Sequence, residues 1–337
     1  MDSMTTRPTG ARDSGPVPPL EFSPGGLPPS QLPAFLLPVG GEAALRRWAV
    51  ASLVANIVIV LTGALVRLTA SGLGCPTWPR CTDESYVSHP ELGIHGAIEF
   101  GNRLLAFVLG VVAVLTWVAA MLHRDGGRRR RDLRWIAAGL AFGIPAQAVI
   151  GGISVLTQLN PFVVALHLLV SMVLIALSVW LVRRSRSLEP RPAPRGGVLA
   201  ARATFALSWV TVWLGTVVTG SGPHAGDAGA ARTGFDGAQV TQLHAYAVYG
   251  AVAATLLAVW LLRSRAAVLV LAVEVVQAAI GITQYNLGLP VALVLLHLLG
   301  ASLAVAAATN LHLSVRRRRS PEVAALSNPV ESRSPVA

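Results

Sequence analysis

The sequence predicts an all-α integral membrane protein: eight transmembrane helices in two tandem, pseudo-symmetric four-helix bundles. Three observations carry that prediction. The chain is 53% hydrophobic and only 13% charged, whereas about 25% of residues are charged in soluble domains. Apolar stretches recur at the ~20 residues needed to cross a hydrocarbon core of about 30 Å. Two segments also repeat each other in residue identity and spacing, the signature of an internal duplication.

Taken in order, the chain opens with residues 1–45, rich in Pro, Gly and Ser, which lack the charged start and early apolar core of a signal peptide and read as a disordered cytoplasmic tail. Apolar spans follow over Trp48–Leu68, Ile94–Leu122, Leu133–Ile153 and Pro161–Val182, within a first bundle of residues 46–183. A cytoplasmic linker, 184–198, leads to spans over Leu199–Gly220, Gln239–Leu262, Ala266–Thr283 and Pro290–Leu313, within a second bundle of residues 199–315. Residues 316–337 read as a second disordered cytoplasmic tail.

The formal charge of +11 does not point to nucleic acid. Every basic residue is Arg, and most stand in short runs between spans: Arg46–Arg47, Arg128–Arg131, Arg183–Arg184, Arg263 with Arg265, and Arg316–Arg319. The alternate loops carry only Arg67, Arg80 and Arg232. This is the positive-inside pattern, which puts both termini on the cytoplasmic side of a cell membrane, with the bilayer as the main partner and no nucleic acid.

The loop after span 1 then lies outside and contains Cys75-Pro-Thr-Trp78-Pro-Arg-Cys81, the only cysteines. A six-residue separation with two prolines can bring the sulfurs to bonding distance, and the outer compartment permits oxidation. Two free thiols are the alternative.

Span 2 opens with His95, Glu99, Asn102 and Arg103. On a helix the first three stack on one face. A carboxylate in an apolar span is costly and by default marks a functional site; the plain alternative is that Glu99 pairs with Arg103 and anchors the helix end.

The duplication places the rest of the chemistry. Gln147-Ala-Val-Ile-Gly151 in span 3 matches Gln277-Ala-Ala-Ile-Gly281 in span 7. Twenty residues after each Gln stands a His, His167 in Leu166-His-Leu-Leu169 and His297 in Leu296-His-Leu-Leu299. Thr69-Ala-Ser-Gly72 matches Thr219-Gly-Ser-Gly222. His167, His297, His244 and Asn102 all lie a few residues into helices running inward from the outer side, so they share one depth toward that side. Each half thereby offers a facing pair, Asn102 with His167 and His244 with His297. A lone His in an apolar helix is ordinarily satisfied by a neighbouring hydroxyl or carbonyl. Paired His at matched depth in a four-helix bundle point instead to axial ligation of haem iron. Zinc would want further ligands that are not near in sequence. His89 reads as solvated, His123 and His312 as helix-end residues, and His224 as a loop residue above the second bundle.

The chain resembles the haem A synthase family, membrane enzymes that oxidise haem O. The resemblance rests on Arg67-Leu-Thr-Ala-Ser-Gly-Leu-Gly-Cys75-Pro-Thr-Trp78-Pro-Arg-Cys81, on Glu99-Phe-Gly-Asn102-Arg103, and on duplicated halves carrying His167, His244 and His297. It covers roughly Arg46 to Val315. It implies that a methyl group of haem O is oxidised to a formyl group by successive hydroxylations, giving haem A for a terminal oxidase. By position, His244 and His297 would ligate a haem b cofactor. His167, Asn102 and Arg103 would face the substrate haem, Glu99 would be the catalytic acidic residue, and Cys75–Cys81 the loop disulfide. A haem O synthase (protohaem farnesyltransferase) and oxidase assembly factors are the implied partners. The departure is Asn102, where the family usually has His; Asn is a poor iron ligand, which leaves one axial position open, and His95 stands two turns away. A di-haem cytochrome b that only passes electrons and a haem or small-molecule transporter are the other readings that the duplicated helices suit.

Overall fold

The computed structural model describes residues 40–125 and 127–318; the greater part of both expected tails lies outside them. Eight helices long and apolar enough to cross a membrane follow one another. They are α1 (Gly41–Leu68), α2 (Gly93–Leu122), α3 (Arg131–Leu156), α4 (Pro161–Ser185), α5 (Arg195–Ser221), α6 (Gly237–Leu262), α7 (Arg265–Asn286) and α8 (Val291–Leu313). All eight predicted spans are present, most of them with extended ends. α1 starts at Gly41, inside the segment read as tail, because Ala44 and Leu45 are buried against the first bundle. The linker and second tail also shrink: α4 runs to Ser185, α5 starts at Arg195, and Arg191–Ala193 (β3) pairs in parallel with Val315–Arg317 (β4). The short strands β1 (Arg124–Asp125) and β2 (Arg128–Arg129) form a hairpin between α2 and α3.

Helices α1–α4 pack around one another, as do α5–α8, and the two bundles meet where α1 and α4 lie against α8 and α4 against α5. Local sequence fixes several helix starts. Asn160 caps α4 by accepting from Phe162 N–H, with Pro161 in the first turn; Asp236 and Ser264 cap α6 and α7 in the same way.

The duplication is written into the backbone as well. The α3–α4 turn bends through Gln158 and Leu159, and the α7–α8 turn through Gly288 and Leu289, all at positive φ. Leu159 N–H donates to Ser154 O and Leu289 N–H to Gln284 O, each at 2.7 Å. Both turns end their helices by folding back amides onto otherwise orphaned carbonyls.

The two bundle cores sit at the arginine-rich end. Leu45, Ala49, Ala119, Ala120, Leu133 and Leu181 cluster in the first bundle, and Ala201, Ala258, Ala267, Val270 and Leu311 in the second. The same end is tied by charge: Asp132 accepts from Arg130 and Arg184, and Arg183 donates across the bundles to Asn310 Oδ1 at 2.8 Å. At the opposite end, where the long loops lie, the helices carry His95, His167, His244 and His297.

Candidate functional site

The cysteine loop is the keystone of the loop end. Cys75 and Cys81 are fully buried and joined, with Cα atoms 4.4 Å apart, as the spacing allowed. The loop is clasped by the start of α2. Glu99, 6% exposed, accepts from Cys75 N–H at 2.6 Å through Oε2 and from Arg103 Nη2 at 2.6 Å through Oε1. Arg103 spends its remaining donors on the carbonyls of Cys75, Thr77 and Arg80 at 3.0–3.1 Å. A buried ion pair is tolerated only when its remaining donors and acceptors are met, and here the loop backbone meets them. Arg103 and Glu99 are therefore paired, which is the plain alternative that the sequence left open; both face the loop, and no hydrogen bond joins either to Asn102 or His167.

The rest of the motif is laid on neighbouring elements. The Trp78 indole lies on Gly152 of α3, so closely that a Cβ there would come within 2.3 Å of the ring. Gly74 passes over the backbone of His95, where a Cβ would meet the carbonyl oxygen at 2.2 Å. His95 itself is exposed and bonds Ser71 Oγ through Nδ1 at 2.9 Å, which accounts for it without a ligand role. Arg67 reaches into the second half, donating to His224 O at 2.5 Å and Thr219 O at 3.0 Å. His224 in turn bonds Leu289 O at 3.0 Å, just before α8. His224 is thus a strut between the loop and α8.

His167, His244 and His297 share one local design. His167 lies across Gly151 of α3, His297 across Gly281 of α7, and His244 across Gly215 of α5; a Cβ on those glycines would stand 3.2–3.4 Å from the ring Cε1 atoms. Glycine at each position lets the imidazole lie against its neighbouring helix. Behind His167, Gln147 Nε2 donates to His167 O at 2.9 Å and Ser171 Oγ at 2.5 Å, which locks α3 to α4 at that level.

The two halves then diverge. His244 Nδ1 bonds Thr211 O at 3.0 Å; as the donor there, it leaves the Nε2 lone pair free. His297 Nδ1 is buried with no hydrogen-bond partner among the described residues. In the first half, His167 Nδ1 is likewise buried and unpartnered. Asn102 turns to α1, its Oδ1 accepting from Thr62 Oγ1 at 2.7 Å. No hydrogen bond links it to His167. Among the described residues no group of three or more His, Cys, Asp or Glu is assembled as a metal cage, so the donors on offer are imidazoles singly or in pairs. Free imidazole nitrogens at one depth fit an axial haem ligand set.

Sequence reasoning missed three residues. Arg67 enters the sequence reading only as an outer-loop charge and as the first residue of the cysteine-loop motif, and Thr62 only as part of an apolar span. Glu274, buried in the middle of α7, was passed over although the same rule that singled out Glu99 applies to it.

Comparison with known proteins places this arrangement among relatives. Residues 46–309 match the COX15-CtaA family model, described as cytochrome oxidase assembly protein. Proteins named haem A synthase are similar to the chain. One from Lysinibacillus sphaericus is 35% identical over 146 residues, covering 42% of this chain and 46% of its own length. One from Methylorubrum extorquens is 30% identical over 218 residues, covering 54% and 55%. One from Rhizobium etli is 28% identical over 325 residues, covering 77% and 86%. The chain spans about half the length of the first curated relatives it matches.

Proposed function

The chain belongs to the COX15-CtaA family of cytochrome oxidase assembly proteins, and on that premise we propose that it is a haem A synthase, an oxidoreductase that converts a methyl group of haem O to a formyl group. The observation that carries the proposal is the duplicated histidine site, complete in one half and altered in the other, beside a clasped disulfide loop.

The second bundle is the cofactor half. His244 and His297 would hold the cofactor: the Thr211 carbonyl fixes the His244 tautomer with Nδ1–H as donor, which leaves Nε2 free to ligate iron, as an outer-shell acceptor does for metal-bound His. Haem b bound there would supply one-electron transfer. Gly215 and Gly281 keep the two rings seated.

The first bundle is the substrate half. His167 holds the substrate iron on one side, and Gln147 fixes the backbone behind it. Asn102, with Oδ1 engaged by Thr62, presents an N–H donor and leaves the opposite axial position open. Glu99 lies one turn before Asn102 on the same helix face and is the acid–base group of this half. Arg103 and Cys75 N–H hold its carboxyl group at a fixed place, so the disulfide loop positions the acid. The arginine-rich end faces the cytoplasm of a cell membrane and both haem sites lie toward the outer side. A protohaem farnesyltransferase supplies the substrate, and oxidase assembly factors receive the product.

The test is chemical. Membranes containing the chain and supplied with haem O should yield extractable haem A, and the Glu99→Gln and His167→Ala variants should not. Recovery of only haem O and haem b, with the chain folded, would reject the synthase in favour of an electron-carrying cytochrome b.

A further inference from the structure

Glu274 is 9% exposed in the middle of α7, about 14 Å along the helix from its start at Arg265 and about 10 Å short of Gly281, the residue under His297. The first bundle has Ile144 at the corresponding position, so the acid belongs to the second half alone. Its one side-chain partner is Thr255 of α6, at 2.9 Å from Oε1; Oε2 is buried without a partner. Thr255 Oγ1 also lies 2.9 Å from Ala251 O, its acceptor one turn back, and 3.4 Å from Thr204 Oγ1 of α5. A hydroxyl has a single proton. If Thr255 donates it to Ala251 O, the short contact with Glu274 requires Glu274 to be the donor, and so to carry a proton.

No countercharge competes for the site. Among the described residues Glu274 forms no ion pair. The ionisable groups of the elements packed around it are accounted for elsewhere: His244 bonds Thr211 O, His297 lies on Gly281, and His312 stacks on Phe205 of α5. Arg263 and Arg265 are exposed at the helix ends, as are Arg195 and Arg202 of α5, and Tyr246, Tyr249 and Tyr285 along theirs. An isolated carboxyl group in the bilayer interior is expensive and by default functional. Gly281, on which His297 lies, is about 10 Å further along the same helix.

We propose that Glu274 is a redox-linked proton site, releasing its proton when the centre held by His244 and His297 is oxidised and regaining one when it is reduced. The inference rests on the haem reading of that pair. In balanced form, iron(III) with the Glu274 carboxylate takes up one electron from a one-electron reductant and one proton from water to give iron(II) with the Glu274 carboxylic acid. Net charge inside the bundle is then unchanged by reduction.

The full-length chain, purified with its haem, is titrated with dithionite at a series of pH values, and reduced-minus-oxidised infrared spectra are taken in H2O and D2O. A low-spin haem spectrum tests the underlying reading first; if none is found, that reading and this inference fall together. With the haem present, the wild-type midpoint should drift with pH toward the one-proton limit of tenfold per pH unit, or 59 mV, and Glu274→Gln should lose that drift. A carboxylic C=O band should grow on reduction, shift in D2O and be missing from the variant. Thr255→Val keeps the acid and should keep the drift while moving the pH at which it occurs. If Glu274→Gln does not retain haem, the wild-type band and its shift in Thr255→Val decide. Equal drift in wild type and Glu274→Gln, or no protonation band, would overturn the proposal while leaving the haem reading intact.

Discussion

Replacing Arg103 by Met removes the cation of a buried pair and retains most of the side-chain volume. Arg103 contributes hydrogen bonds to Glu99 and to the carbonyls of Cys75, Thr77 and Arg80. Glu99 would keep its backbone donors, Cys75 N–H foremost. Breaking a buried pair by deleting one partner costs about 3–5 kcal/mol, chiefly because a buried charge is left unpaired. That corresponds to a population of the opened loop raised roughly a hundred-fold or more, at 1.36 kcal/mol per factor of ten. Local opening is read directly by hydrogen exchange at Cys75 N–H and across residues 72–85, which reports the free energy of sub-global unfolding. The double variant Glu99→Gln, Arg103→Met removes both charges and should recover more than ~1 kcal/mol of the loss, since the stranded charge dominates the penalty. Equal exchange in the single and double variants would show that the pair does not hold the loop and would refute the clasp.

Three further outcomes follow from the same geometry. Asn102→His restores a His where the second half has His244, so the first bundle should gain a second low-spin haem signal by electron paramagnetic resonance while haem A yield falls; an unchanged spectrum would mean that position 102 does not reach the iron. Gly152→Ala places a Cβ inside the Trp78 ring contact, so the disulfide should become reducible by a mild thiol in solution, measured by thiol labelling after reduction; a disulfide as resistant as in the wild type would refute the role of that contact. Arg67→Ala loses two charge-assisted bonds to the second half, worth about 1.5–3 kcal/mol each, and should lower the thermal midpoint and split unfolding into two steps; a single unshifted transition would refute the tie.

The fold was legible because its determinants are long-range only in composition. Helix number follows from apolar length, and pseudo-symmetry from matched residues such as Gln147 with Gln277 and His167 with His297. The α3–α4 and α7–α8 turns show why that matching is physical, for Leu159 and Leu289 hold the same left-handed geometry. Helix ends were less legible, because Ala44 and Leu45 belong to α1 only through burial against other helices. The site was half legible. Residue types at matched depth pointed to the histidines, yet nothing in sequence spacing says that Glu99 turns toward Cys75 or that Asn102 turns toward Thr62. Those orientations are set by contacts 24 and 40 residues away along the chain.

The divergence of the two copies explains how one scaffold can support two different tasks. Aligned on Asn102 and His244, the first half has Glu99 and Arg103 where the second has Thr241 and Ala245. Aligned on His167 and His297, the second has Glu274 where the first has Ile144. Each half thus carries one buried acid, and the acids differ in what they touch. Glu99 is tied to a cation and to the loop backbone, which fixes its place. Glu274 meets only a hydroxyl and stands alone in apolar surroundings, which leaves its charge free to change. A reacting half needs its acid held still against the substrate, and an electron-storing half needs its acid able to gain and lose a proton. On that reasoning, moving the acid is the discriminating experiment. Ile144→Glu should fail to rescue Glu99→Gln, because an unclasped carboxyl group deeper in the first bundle lies on another helix and away from the loop; restored haem A yield in that double variant would refute the division of roles between the two acids.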